Sequence, residues 1–190
     1  EKYGFFPAVS AAWRISEENF LKNNQTISNL KLRASYGITG NASIPPGEYF
    51  SKFGNSGSYN GNVAISPQNV ENPNLQWEQL KSLDLALEFG FFKGRLTGEF
   101  AYYNKRTSNV LINGGISPST GFGTAYLNVG EILNEGLELS LNTINVDNKN
   151  FKWTTNFNIW QNYNEVVSIG NLSADAIGGG TNDTRIILGM

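Results

Sequence analysis

The stretch from Leu75 to Arg106 reads LQWEQLKSLDLALEFGFFKGRLTGEFAYYNKR, and it decides the fold. Between Leu83 and Phe91 every second residue is leucine or phenylalanine, and the residues between them are small or charged. Because successive side chains of a strand point to opposite faces, this period of two predicts a strand with one apolar and one polar face. A tight turn is predicted at 93–95, and the alternation restarts at Leu96. The stretch therefore predicts a β-hairpin.

The same alternation predicts four further strands outside the hairpin. They lie near 5–15, 30–38, 137–141 and 151–159. Ser16–Lys22 has a capping residue followed by acidic residues, which predicts one or two helical turns. Asp147–Asn150 predicts a turn rather than a calcium loop, because it lacks the ligand spacing and the closing glutamate.

Three long segments without alternation predict loops. They are 39–74, 110–129 and the tail that contains Gly178–Gly180. Loops of this length are uncommon in a compact domain and are usually functional. Six aromatic side chains in the first two are candidates for contact with a substrate or a lid protein, although they could equally pack the loops together: Tyr49, Phe50, Phe53, Tyr59, Phe122 and Tyr126.

Composition does not decide whether the apolar face belongs to a soluble protein or to a membrane protein. The mean hydropathy is -0.31 and 39% of the residues are hydrophobic, which resembles a soluble protein. Transmembrane barrels also average out as polar, however, because their strands alternate. No run of about 18 apolar residues exists, so a transmembrane helix is excluded while a transmembrane strand is not.

The charged and catalytic residue types exclude several functions. With 14 basic and 16 acidic residues the net charge is -2, and no basic cluster predicts nucleic-acid binding. The chain has no histidine and no cysteine, which removes the usual general base, the usual zinc ligand and any disulfide. Asp84, Glu88 and Glu99 could pair for acid–base catalysis, but the aqueous face of a barrel explains them better. We therefore predict no enzymatic activity, no metal site and no cofactor.

The connections after the second strand run long, short, long, short and long, as in an outer-membrane barrel with short periplasmic turns and long outer loops. In that arrangement one face meets lipid and the other meets the lumen. The predicted lipid-facing residues are Leu83, Leu85, Leu87, Phe89, Leu139, Leu141, Phe157 and Ile159. The predicted lumen-facing residues are Asp84, Glu88, Glu99, Glu138 and Asn156. Trp13, Trp77 and Trp153 lie toward strand ends and could form an aromatic girdle or belong to an ordinary core.

Several blocks of the sequence also resemble one family in the family's own order. They are FFPAVSAAWRISEENFL, ISNLKLRASYGITGN, NPNLQWEQ, FFKGRLTGEFAYYNKRTSNVL and NVGEILNEGLELSL. The spacing of Asn128, Gly130, Asn134, Gly136 and Glu138 is especially close to the pattern. The chain thus resembles the barrel of SusC/RagA-type TonB-dependent outer-membrane transporters.

The resemblance implies an all-β fold, an antiparallel transmembrane β-barrel segment of about six strands from a barrel of roughly 22. It implies that residues 1–190 are part of a single barrel domain, with the plug and the TonB-contacting segment absent from this chain. It further implies import of oligomeric nutrients, glycans or peptides, across the outer membrane of a Gram-negative bacterium of the Bacteroidota group. The implied partners are a SusD-like surface lipoprotein, the TonB complex and outer-membrane lipid.

Alternation alone also permits a soluble secreted β-sandwich that acts as a binding or adhesion module. The two interpretations differ in what covers the apolar face, which is lipid in the barrel and a second sheet in the sandwich.

Overall fold

A computed structural model describes residues 3–170 and 172 of the chain. Within these residues there are eight strands. Their bounds are β1 Ala8–Arg14, β2 Ile27–Asn41, β3 Phe53–Tyr59, β4 Asn62–Pro67, β5 Glu78–Phe91, β6 Leu96–Gly115, β7 Thr124–Asp147 and β8 Lys152–Ser168. Six of them form one sheet in the order β1-β2-β5-β6-β7-β8, while β3 and β4 form a separate hairpin. All neighbours are antiparallel, which confirms the predicted fold class.

The hairpin of β5 and β6 forms as the alternation predicts. Leu85 pairs with Tyr102, and the register runs without a shift from Gln79 to Phe91. The chain reverses through 92–95, where Phe92 and Lys93 have positive φ angles of 55° and 58°. The short turn between β7 and β8 is also confirmed, since the Asn148 side-chain oxygen accepts hydrogen bonds from the backbone N–H groups of Asn150 and Phe151.

The predicted loop at 110–129 is wrong. β6 continues to Gly115 and β7 begins at Thr124, so the connection is only 116–123. Bulges near Asn109, whose φ is 56°, shift the register of this pair and break the alternation in the sequence. A bulge inserts an unpaired residue without ending the ladder, so the strand persists where its pattern stops.

The other predicted loops need smaller corrections. The connection between β2 and β5 spans 42–77 and contains the hairpin of β3 and β4. Ser16 lies inside a 3-10 turn at Ile15–Glu17 and does not cap it, because no side chain makes the cap hydrogen bond. The Gly178–Gly180 part of the predicted tail lies outside the described residues.

The sheet is a single layer without a core of its own. In the described part of the chain the buried hydrophobic residues are Leu75, Ala125 and Ile169, and no large side chain is fully buried. β1 and β8 lie at opposite edges and do not pair with each other. A β-sandwich requires two packed sheets, so the described residues do not support that alternative. No helix among them has the length and apolar character needed to cross a membrane.

Candidate functional site

The cross-strand register sorts the side chains of the sheet into two faces. One row joins Leu32, Leu87, Phe100, Leu139 and Ile159 across five strands. All eight residues predicted to face lipid share this apolar face, and all five predicted to face the lumen lie on the opposite, polar face. The register thus groups the residues as predicted, while the lipid and the lumen themselves remain predictions.

The apolar face ends obliquely on the side of the long loops. On β5 the first charged residue there is Lys81, which pairs with Arg106, whereas on β8 polar residues begin at Gln161, which pairs with Leu137. The row of Gln161 is still apolar on β5, where it holds Leu85. The boundary of the apolar face therefore crosses the hydrogen-bonded rows at an angle. Strands that tilt across a membrane in a closed barrel place the boundary in this way.

The polar face is concave, and an open cavity of about 880 Å³ lies on it. Its floor is one cross-strand row in which the small side chains of Ala86 and Ala101 lie between Arg33 and Glu138. Small residues at the centre leave room above the sheet. The polar face therefore has space for a side chain or a ligand above Ala86 and Ala101.

An ion network occupies one side of the cavity. Arg33 contacts Glu88 at 2.8 Å and Glu99 at 3.1 Å, and Lys31 contacts Glu88 at 3.2 Å. Glu88 and Glu99 pair directly across β5 and β6, where like charges repel unless a cation lies between them. The arrangement explains these carboxylates as members of a paired surface network, whose contribution to stability is small.

The remaining predicted polar residues are less engaged. Asp84 accepts a hydrogen bond of 2.8 Å from the Ser82 hydroxyl. The side chains of Glu138 and Asn156 make no hydrogen bond or ion pair to other described residues. No group of three or more histidine, cysteine, aspartate or glutamate side chains in the described ranges is placed to hold a metal ion.

Two aromatic residues on the polar face, Tyr103 and Trp160, were not predicted as site residues. The Tyr103 hydroxyl donates a hydrogen bond of 2.9 Å to the Asn162 side-chain oxygen. Trp160 pairs with Glu138 across β7 and β8 and is 71% exposed. The prediction of the last strand stops at 159, but the alternation continues through Asn162 and Asn164 and places Trp160 on the polar face.

Residues of the family-like pattern have structural roles. The Asn128 side chain accepts from the Gln76 N–H at 2.8 Å and donates to the carbonyls of Gln76 and Asn109, both at 2.8 Å. The Asn128 side-chain amide thereby makes both backbone hydrogen bonds of Gln76, just before β5, that a neighbouring strand would make. A Cβ at Gly136 would overlap the backbone carbonyl oxygen of Gln161 and would lie 2.6 Å from the Tyr103 hydroxyl oxygen, so glycine leaves space for both β8 and that ring.

The candidate loop aromatics lie in separate places. Tyr49 and Phe50 are close, with ring centroids 4.0 Å apart, and Tyr49 lines an apolar cavity of about 320 Å³ with Pro45, Pro46 and Trp77. Phe53 and Tyr59 are exposed on β3, and Phe122 lies in the 116–123 connection. Tyr126 lies in β7 rather than in a loop, because β7 begins at Thr124.

The tryptophans predicted for a girdle lie at the ends of strands. Trp13 is near the end of β1, and Trp153 is near the start of β8. Both are about half exposed, at 50% and 54%, so neither is a core residue of this sheet. Trp77 precedes β5 at the long-loop side, with its ring 5.6 Å from that of Phe6.

A single-layer antiparallel sheet with one apolar face and a concave polar face is the architecture of part of a transmembrane β-barrel wall. The family model described as "TonB dependent receptor-like, beta-barrel" matches residues 1–185. The chain belongs to this family, and it is of the SusC/RagA type.

Similar proteins support this classification. TonB-dependent receptor P26 of Formosa agariphila is 41% identical over 198 residues, which cover 99% of this chain and 20% of that protein. TonB-dependent receptor SusC of Bacteroides thetaiotaomicron is 33% identical, over 88% of this chain and 18% of that protein. The solved RagAB peptide importer in its "closed-closed" state gives a TM-score of 0.78 at 25% identity, over 95% of this chain and 20% of that one. The chain therefore spans about a fifth of the length of the relatives it matches.

Proposed function

We propose that this chain is part of a TonB-dependent outer-membrane transporter that imports oligomeric nutrients, glycans or peptides, through a plugged barrel. Residues 1–190 form part of the single barrel domain of that transporter. The protein transports and does not catalyse.

Two observations together support the proposal. The chain matches the family model, and its sheet has one apolar face that no described residue covers and one polar face. The apolar face of β2, β5, β6, β7 and β8 has no covering layer in the described residues. Lipid covers such a face in a barrel, and the even alternation leaves the polar face to water. Leu83, Leu85, Leu87, Phe89, Leu139, Leu141, Phe157 and Ile159 then contact lipid, and Asp84, Glu88, Glu99, Glu138 and Asn156 line the lumen.

The strands also extend beyond the membrane. β6 has 20 residues and β7 has 24, whereas about 9–11 residues cross the hydrocarbon region. In the proposed orientation, the ends of β6 and β7 and the connection 42–77 lie above the outer surface. Tyr49, Phe50, Phe53 and Tyr59 on that connection, and Phe122, are suited to contact a SusD-like lipoprotein that closes the barrel, or the cargo. Energy for opening comes from the TonB complex through other parts of the protein.

Uptake by intact cells tests the proposal. A strain that carries the gene of the full-length protein is compared with its deletion strain on two labelled pools, mixed oligosaccharides and tryptic peptides. We expect depletion of one pool only when the gene is present, and loss of depletion on addition of a protonophore. Equal depletion by both strains, or recovery of the full-length protein as a soluble secreted protein, would contradict the proposal.

A further inference from the structure

Between Asn156 and Asn164, the side chains that β8 places on the polar face form an uncharged run. The register with β7 is uninterrupted from Thr154 to Val166, so alternate residues share one face, about 7 Å apart. The run consists of one indole flanked by four amides: Asn156, Asn158, Trp160, Asn162 and Asn164. Such a run has no counterpart on the apolar face of the same strand, which holds Phe157 and Ile159.

Trp160 stands beside a small cavity of about 260 Å³. We call Glu138, Ser140, Asn158 and Trp160, which line it, the Trp160 wall. The cavity adjoins the larger one, because Ala101 and Glu138 line both. Its volume lies just below the range of about 300–1,000 Å³ typical of small-molecule pockets. It therefore accommodates one ring of an oligomer at a time.

Two polar side chains of the Trp160 wall have no partner among the described residues. Asn162 is engaged by Tyr103, and Asn164 donates to Asn134. Glu138 and Asn158, in contrast, make no side-chain hydrogen bond or ion pair to any described residue. A further strand that paired along the free edge of β8 would lie in the plane of the sheet, and it would leave this face open.

The charges around the two cavities nearly balance. Glu99 is paired with Arg33 at 3.1 Å, and the Lys105 ammonium lies 5.2 Å from the Tyr103 ring centroid. Asp84 and Glu138 have no cationic partner among the described residues. The small cavity itself is lined by the carboxylates of Glu99 and Glu138 and by no cationic side chain of the described residues, so its field disfavours an anionic ligand, and Glu138→Gln separates a neutral ligand from a cationic one.

The chemistry of the Trp160 wall matches a sugar ring. Amides both donate and accept hydrogen bonds, as hydroxyl groups do, and a carboxylate accepts from two hydroxyls. The indole offers a broad apolar surface for the C–H face of a pyranose. We infer that the Trp160 wall binds a ring of a neutral oligosaccharide. This inference rests on the proposed function and narrows its cargo from glycans or peptides to glycans.

Three single variants of the full-length transporter separate this ligand from others. Trp160→Ala removes the stacking surface, and Trp153→Ala removes a tryptophan of the same strand from the opposite face. Glu138→Gln keeps a hydrogen-bonding side chain but removes the negative charge. Each purified protein is incubated with a neutral oligosaccharide pool of four to eight residues or with a tryptic-peptide pool, and retained compounds are quantified by mass spectrometry.

We expect the wild type and Trp153→Ala to retain oligosaccharides, and Trp160→Ala to retain about tenfold less. Glu138→Gln should reduce sugar retention only slightly. If the site instead held a basic peptide side chain between the carboxylate and the indole, the same variant would lose retention of that peptide. Retention of peptides instead of sugars, equal retention by Trp160→Ala, or no retention of sugar by the wild type would overturn the inference. Energised uptake of peptides that depends on the gene would leave the proposed function intact, so the two failures are distinguishable.

Discussion

Gly136 controls the position of Tyr103 on the polar face. A methyl group there would overlap the backbone carbonyl oxygen of Gln161 and would lie 2.6 Å from the Tyr103 hydroxyl oxygen, so both the backbone of β8 and the tyrosine ring must shift. We predict that Gly136→Ala lowers the stability of the full-length barrel by about 1–3 kcal/mol, the usual cost of overpacking. Thermal unfolding in detergent measures the change. Gly123→Ala is the control, since nothing lies within 4 Å of that position; an equal loss in both variants would contradict the packing argument.

Leu85 and Ala86 are neighbours in sequence on opposite faces of β5. If the apolar face meets lipid, Leu85→Arg near the membrane centre should cost about 2–4 kcal/mol. Ala86→Arg points into the cavity of the polar face and should cost less. Denaturant unfolding of the full-length protein in lipid vesicles gives both values. A larger loss from Ala86→Arg would show that the faces are assigned the wrong way round.

The strands differ in how clearly their sequences predict them, and the reason is physical. β5 and β6 were predicted because their alternation is uninterrupted up to the bulge at Asn109. β3 was missed because glycine, asparagine and serine dominate it, and these residue types rarely mark strands. β4 is six residues long and its alternation is limited to Val63 and Ile65. Asn60-Gly61 between them, whose positive φ angles of 51° and 80° fit a two-residue hairpin turn, is the further signal.

The candidate site was predicted in its faces but not in its contacts. The period of two fixes which side chains share a face, so the grouping of Asp84 with Glu88 follows from the strand itself. The clamp of Asn128 on Gln76 joins residues 52 positions apart. No local pattern contains such a pairing, because it depends on the strand order of the sheet.

The Asn128 clamp holds the entry into β5. Asn128→Asp keeps the acceptor for the Gln76 N–H but loses both donors, to Gln76 and Asn109. We predict faster hydrogen exchange at 76–78 and 109–111 and a loss of about 1–3 kcal/mol, because two carbonyls lose their partner. Asn55→Asp, in the exposed hairpin, is the control, since its oxygen contacts only the nearby Gly57 N–H. Unchanged exchange in Asn128→Asp would mean that the clamp does not hold this segment.

The hairpin of β3 and β4 can be removed without opening the sheet. Its two ends meet where the Gln68 N–H donates to the Lys52 carbonyl at 2.7 Å, so deletion of 53–67 can be closed by a short join. We predict that the full-length protein still assembles and that its association with the proposed surface lipoprotein or with the proposed cargo is weaker. Co-purification and uptake measure these effects. Full retention of both would show that the hairpin has neither role.

An isolated sheet of this kind is unfavourable, because its apolar face needs an apolar environment while its polar face needs water. Its apolar side chains are exposed in an isolated layer, and its edge strands β1 and β8 lack outer partners among the described residues. Exposed edges favour aggregation, and closure into a barrel removes them. The proposed function therefore requires lipid against the apolar face and the barrel lumen against the polar face.

Site-directed spin labelling of the full-length protein in lipid nanodiscs tests this claim most directly. Residues 1–190 contain no cysteine, so Leu87→Cys and Ala86→Cys are each made in full-length protein from which any cysteine outside this segment has been replaced by serine. We predict that the label at 87 is accessible to oxygen dissolved in lipid and shielded from a water-soluble nickel reagent, and that the label at 86 is not exposed to lipid oxygen. Equal oxygen accessibility at both positions, or higher accessibility at 86, would contradict the account.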